Sequence, residues 1–164
     1  MKPEGAESRG RAADWDVYWR GTEANAAHRE GGPQEPVLAQ FWGRFFGQHL
    51  SAEAGAPMLD LACGNGAVTG YARQSRPGLD ACCSDYSESA LRELRKRHPG
   101  SRCVVADALN PPFPDGSFPV VASQFGVEYA GAEAVVAAGR LVAPGGWLAL
   151  VIHLHDGGIY RECA

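Results

Sequence analysis

The stretch Asp60-Leu61-Ala62-Cys63-Gly64-Asn65-Gly66 sets a carboxylate just ahead of two closely spaced glycines. Glycine leaves nothing between backbone and ligand and permits a positive φ in a tight turn. The helical pattern that follows starts with free N–H groups, which can receive a carboxylate or another anion. Asp85 stands about twenty residues further on, where an acid can accept both ribose hydroxyls of a nucleoside. Asp107 and the backbone N–H of Ala108 can read the amine and a ring nitrogen of adenine. Ser123-Gln124-Phe125-Gly126 follows, with Glu128 close behind. A mouth holding Asp60, Asp85, Asp107 and Glu128 suits a ligand that carries a sulfonium and an ammonium. A nicotinamide cofactor fits less well. Gly70 falls one place too late for the Gly-x-Gly-x-x-Gly spacing, and the charge of Asp60 would oppose a pyrophosphate.

These residues need a scaffold that gathers them at one edge. Short apolar runs at Met58–Ala62, Leu79–Ser84, Arg102–Ala106, Val120–Gln124 and Trp147–His153 read as strands. Helical patterns separate them: from the glycine turn to about Gln74, from the cap Ser87 to about Arg97, and over Glu133–Val142. Pro119 is tolerable at the first position of the fourth strand, and Pro144-Gly145-Gly146 reads as a turn before the fifth. Strand and helix in alternation predict an α/β fold: a Rossmann-like, doubly wound, mostly parallel sheet with helices on both faces. In such a sheet ligands bind beyond the carboxyl ends of the strands, where the residues named above fall.

Ahead of that core, residues 1–13 are small and polar and read as a disordered tail. Residues 14–55 form N-terminal helices expected to cover the cleft. Trp15, Tyr18 and Trp19 sit at helical spacing, a Gly/Pro-rich loop spans His28–Pro36, and Val37, Leu38, Phe41, Trp42, Phe45 and Leu50 mark an amphipathic helix. Residues 56–164 are the core domain.

Bulk composition narrows the partners. The 164 residues are 45% hydrophobic with a net charge of −4, which fits one globular domain. Lys and Arg form no block, so nucleic acid is not expected as a partner. No apolar run is long enough to span a bilayer, and no basic-then-apolar leader follows Met1. The five cysteines form no Cys-x-x-Cys pair and read as free thiols of a reducing, cytoplasmic compartment.

The stretch from Met58 to His155 resembles the class I S-adenosylmethionine-dependent methyltransferases. The glycine motif is similar to Leu59-Asp60-Leu61-Ala62-Cys63-Gly64-Asn65-Gly66, the second acid to Asp85 followed by Tyr86-Ser87, and the third motif to Asp107-Ala108. Pro112-Phe113-Pro114-Asp115-Gly116-Ser117-Phe118 resembles the family's approach to the fourth strand, and Leu141-Val142-Ala143-Pro144-Gly145-Gly146-Trp147-Leu148 its approach to the fifth. The resemblance implies S-adenosylmethionine as cofactor and methyl transfer, here to a small molecule. It implies that Ala62, Gly64, Asn65 and Gly66 approach the methionine part and that Asp60 helps hold its amino group. Asp85 would bind the ribose, Asp107 and Ala108 the adenine, and Tyr86, Gln124 and Phe125 would border the adenosine.

Two departures stand out. Pro119 replaces the acid that usually opens the fourth strand. The family also usually adds a helix and an antiparallel pair of strands after the fifth strand, where only about ten residues remain here. That predicts an exposed fifth-strand edge open to self-association, and a non-catalytic or truncated binding domain as the alternative function.

Other chemistry-bearing residues carry bland readings beside sharp ones. Asn110-Pro111-Pro112-Phe113 looks like a base-modifying signature but precedes the fourth strand, and reads as a loop. His153, His155 and Glu128 are candidates for a general base, although direct displacement at a sulfonium methyl obliges no dedicated base. Asp156 near the two histidines does not complete a metal site. Tyr18 and Trp19 are lid candidates. Cys63, Cys82 and Cys83 read as packing residues.

Overall fold

The computed structural model describes residues 35–50 and 57–153. The expected tail, Trp15, Tyr18, Trp19, most of the loop from His28, and His155, Asp156 and Cys163 lie outside them. Helix α1 (Glu35–His49) begins one residue before Pro36, whose fixed φ suits a first turn. Strand β1 (Met58–Leu61) leads into α2 (Ala67–Ser75), β2 (Ala81–Asp85), α3 (Glu88–Arg97), β3 (Arg102–Val105) and β4 (Phe118–Gln124). A short 3-10 turn (Val127–Ala130), α4 (Ala132–Arg140) and β5 (Val142–Val151) follow. Ser87 caps α3 as its sequence predicts, its hydroxyl accepting from the N–H of Ala90.

The five strands lie in the order β3-β2-β1-β4-β5, and every pairing is parallel. The winding reverses between β1 and β4, which opens a crevice at their carboxyl ends. The apolar faces alternate as a doubly covered sheet requires. Met58 packs with Val120, Ala122 and the α1 and α2 side chains Leu38, Trp42, Phe46, Val68 and Tyr71. Leu59 and Leu61 point the other way, onto Val121 and the α4 residues Ala134 and Ala138. Ala81 and Cys83 of β2 join Leu91 and Leu94 of α3.

The α1 stripe that is buried is Leu38, Trp42 and Phe46, at helical spacing, while Val37 and Phe41 are exposed. The amphipathic helix is thus as expected, with its inner face rotated away from two of the predicted positions.

The β4–β5 junction differs from the sequence expectation. Pro119 is not the first residue of β4. It sits at a register break in which Phe118 pairs with Val142 but Val120 pairs with Trp147. Ala143 to Gly146 are therefore absorbed into β5 as a bulge, not a turn before it. A proline needs no ladder partner at such a break. Gly146 is required there, because a Cβ would lie 2.6 Å from the Pro119 carbonyl oxygen. The bulge also shifts the side-chain alternation, so that Phe118 and Val121 share one face.

Candidate functional site

The tip of β1 is built by backbone constraint. Ala62 and Gly64 both take φ of 52°, and Gly66 takes 92°. Gly66 has a second reason to be glycine: a Cβ would come 2.8 Å from Cγ of the buried Leu94. The turn is strapped to β2. The Cys63 N–H donates to the Ser84 carbonyl at 3.1 Å, and the Gly64 N–H donates to Asp85 Oδ2 at 2.7 Å. The other oxygen of Asp85 accepts the Ser87 N–H at 2.8 Å. A buried carboxylate thus ties the glycine turn to the β2–α3 loop. Gly66 caps α2 without a side chain of its own, and the N–H of Thr69 in the first turn is taken by the Asp60 carboxylate.

Asp60 is fully buried inside β1. Its Oδ2 accepts from Thr69 twice, from the backbone at 3.0 Å and from the hydroxyl at 2.7 Å. Its Oδ1 is buried without a hydrogen-bond partner. Burial pushes its carboxyl up to about 7; the Thr69 hydrogen bonds oppose the rise and the nearby Asp85 charge adds to it. An orphaned acceptor of this kind is costly unless something fills it. A donor brought to this oxygen would satisfy it and favour the charged form.

Asp107 lies half-buried after β3, which Asp85 holds through its carbonyl at 3.0 Å from the Ala106 N–H. Its Oδ1 accepts from the Leu109 N–H at 2.9 Å, closing an Asx turn. Ala108 is buried, and Tyr86 is 46% exposed beside the β2 tip. Asn65 is buried within the turn.

On the far side of the crevice, Gln124 Oε1 accepts from the indole N–H of buried Trp42 at 2.6 Å, which fixes α1 over the β4 tip. Phe125 takes a φ of 51°. With Ala62 it is one of two non-glycine residues of positive φ among the described residues, and the two sit at neighbouring strand tips. Such conformations gather at ligand sites. Gly126 touches Ala62 so closely that a Cβ would meet its carbonyl oxygen at 2.6 Å. The ring of Phe125 stacks on His153, centroids 4.3 Å apart and 15° between planes.

Asp60, Gly64, Gly66 and Asp85 are brought together at the β1–β2 tips, with Ala62 meeting the β4 tip through Gly126. Asp107 and Ala108 follow β3. Glu128, expected in the same acidic mouth, is turned elsewhere: its Oε1 lies 3.0 Å from His153 Nδ1. Sequence reasoning missed Thr69, Trp42 as the partner of Gln124, and Gly126. Thr69 sits in an apolar helical stretch with no motif to flag it. Gly126 carries an ordinary negative φ, so only its contact marks it.

Residues 59–150, more than half of the chain, match the methyltransferase domain family. The chain belongs to that family. The expected Rossmann-like parallel sheet and the class I methyltransferase resemblance are borne out together. The chain is 36% identical over 90 residues to a demethylmenaquinone methyltransferase of Beutenbergia cavernae, covering 55% of this chain and 37% of that protein. It is 29% identical over 116 residues to one of Paenarthrobacter aurescens, covering 70% and 45%. The methyltransferase domain therefore spans less than half the length of these curated relatives. Solved structures share the fold. A protein of Pyrococcus horikoshii superimposes with a TM-score of 0.65 at 18% identity, over 90% of this chain and 66% of that one. The geranyl diphosphate C-methyltransferase of Streptomyces coelicolor, solved with S-adenosyl-L-homocysteine, gives 0.61 at 19% identity, over 86% and 64%.

Proposed function

We propose that this methyltransferase domain binds S-adenosylmethionine over the tips of β1, β2 and β3, and that the protein transfers its methyl group to a small molecule seated over the β4–β5 tips. The observation that carries the reading is the buried pair Asp60 and Asp85 flanking a bare glycine turn. Asp60 keeps one oxygen open for an ammonium, and Asp85 holds the turn that a nucleoside must approach. Gly64, Asn65 and Gly66 would lie along the methionine part, with its carboxylate near the α2 N-terminus. Asp85 would take the ribose and Asp107 with Ala108 the adenine, while Ala62, Tyr86, Gln124 and Phe125 border the nucleoside. The bound cofactor supplies the reactive methyl; the protein supplies alignment and an acidic, water-poor crevice.

A small-molecule acceptor is supported by the relatives, which are named for demethylmenaquinone and geranyl diphosphate. A nucleic-acid acceptor finds no support in a chain of net charge −4. A cytoplasmic setting is supported by the free thiols of Cys63, Cys82, Cys83 and Cys103. Among the described residues no helix is long and apolar enough to cross a membrane. A second reading, a binding domain without turnover of its own, finds no support in the family match or in relatives named as methyltransferases.

The test is thermal unfolding with and without S-adenosylhomocysteine. A ligand of the native state at a hundred times its Kd stabilises by about 2.7 kcal/mol, several degrees for a domain of this size. The shift should be present in the wild type and absent in Asp85→Ala. No shift in the wild type, or an equal one in the variant, overturns the reading. Methyl transfer by the wild type separates the enzyme from the silent binder.

A further inference from the structure

Helix α1 carries two apolar stripes, and the sheet takes only one of them. Leu38, Trp42 and Phe46 are buried against the strands. About 100° round the helix, Val37 and Phe41 are 61% and 43% exposed, and half-buried Phe45 continues their row. The rings form a continuous surface. Phe41 stacks on Phe45 with 11° between planes, Phe45 meets His49 at 4.9 Å, and His49 meets Trp147 of β5 at 3.9 Å. This face borders a cleft of about 350 Å³. Arg44 stands exposed beside the row, and no carboxylate among the described residues pairs with it. A helix that is apolar on more than one side is normally covered on each, and an exposed apolar surface of this kind marks a contact.

The chain supplies an occupant of matching chemistry. Trp15, Tyr18 and Trp19 are spaced i, i+3, i+4, the pattern of one helix face, and Asp14 falls on the same face four residues before Tyr18. Asp14 and Asp16 bring the carboxylates that Arg44 lacks. Residues 21–34 join this segment to α1 and end in Gly31-Gly32-Pro33, which suits a reversal of direction. Fully extended they reach about 46 Å, whereas the whole of α1 is about 22 Å long. The segment can therefore reach any part of the stripe. A stretch as short as Asp14–Arg20 holds a helix only when it has a surface to pack on.

We propose that the aromatic face of Asp14–Arg20 docks on the outer stripe of α1 in the same chain and closes an αα-hairpin over it. Trp15, Tyr18 and Trp19 then bury their rings against Phe41 and Phe45, and both surfaces lose their exposed apolar area. At the rim, Arg44 gains an acidic partner. The docking assigns these aromatics to the protein's own helix and not to a ligand, so it stands apart from the cofactor reading. It still bears on the crevice. Trp42 of α1 holds Gln124 at the β4 tip, so a segment seated on the outer side of α1 positions the helix that borders that tip.

Thermal melts of the full chain test the docking as a cycle of two blocks. Trp15→Ala/Tyr18→Ala/Trp19→Ala and Phe41→Ala/Phe45→Ala should each lower Tm by about 4–8 °C. The variant that combines them should lose no more than the larger single loss. Losses that add show that the two surfaces do not meet, and overturn the proposal. NMR of the wild type places the contact directly: NOEs should join the Trp15 or Trp19 indole to the Phe41 or Phe45 ring. Their absence overturns the proposal even if the melts are non-additive. A sample that mixes isotope-labelled with unlabelled chains reads whose segment is seated. NOEs within one chain support the hairpin, whereas NOEs between chains mean that a second copy occupies the stripe, and overturn it.

Discussion

Asp85 holds Gly64: the glycine N–H donates to the aspartate Oδ2 at 2.7 Å, across the gap between two adjacent strand tips. The carboxylate also takes the Ser87 N–H on its other oxygen. One side chain therefore shapes the turn and supplies the charge beside it. Asp85→Asn retains one acceptor oxygen and loses the charge. The variant should lose about 1.5–3 kcal/mol of stability, the range for hydrogen bonds to a charged partner, and at least tenfold in affinity for S-adenosylhomocysteine. Urea unfolding and isothermal titration read the two losses separately.

Asp60 makes stability depend on pH in an unusual direction. Its carboxyl is raised from 3.8 to about 7 by burial. Below 3.8 it is protonated in both states and costs nothing. As pH rises from there to about 7 the unfolded chain ionises while the folded one holds its proton, so its contribution to stability falls by about 1.4 kcal/mol per unit. Above about 7 the contribution is level. Asp60→Asn should flatten this slope in chemical unfolding between pH 4 and 7. A ligand ammonium draws the ionised form, so S-adenosylhomocysteine should bind the wild type more tightly as pH rises across the same window, with proton release seen as a buffer-dependent heat.

Gly126 tests the contact between the two halves of the crevice. A methyl group there would meet the Ala62 carbonyl oxygen at 2.6 Å and its Cβ at 2.7 Å. Gly126→Ala should cost about 1–3 kcal/mol, the usual price of overpacking. It should also weaken ligand binding more than Gly139→Ala, where a Cβ meets nothing within 4 Å.

Trp42 joins α1 to the sheet by volume and by one hydrogen bond. Trp42→Ala should cost about 3–5 kcal/mol through the cavity it leaves. Trp42→Phe keeps most of the apolar packing and leaves Gln124 without its donor, at about 1 kcal/mol. Thermal melts of the pair give the size of each part.

Much of the fold was legible in the sequence because buried parallel strands read as short apolar runs and the helices between them carry caps and periodicity. The five strands and Ser87 as a cap follow from that local chemistry. The β4–β5 bulge was not legible, since Pro144-Gly145-Gly146 has the composition of a turn and only the pairing of Val120 with Trp147 shows that the strand continues through it. The 3-10 turn at Val127–Ala130 was missed for a similar reason: four residues are too few to show a period.

By itself the sequence determined which chemical groups arrive at which strand ends: a carboxylate, two bare glycines and two further acids, in chain order, because alternation of strand and helix places such residues at one edge. The tertiary structure decided what those groups do to one another. The strap from Asp85 to Gly64, the buried and half-satisfied Asp60, and the pairing of Glu128 with His153 join residues from separate elements. Local pattern carries no record of such pairings, because hydrogen bonds and burial depend on distance in space, which packing alone sets.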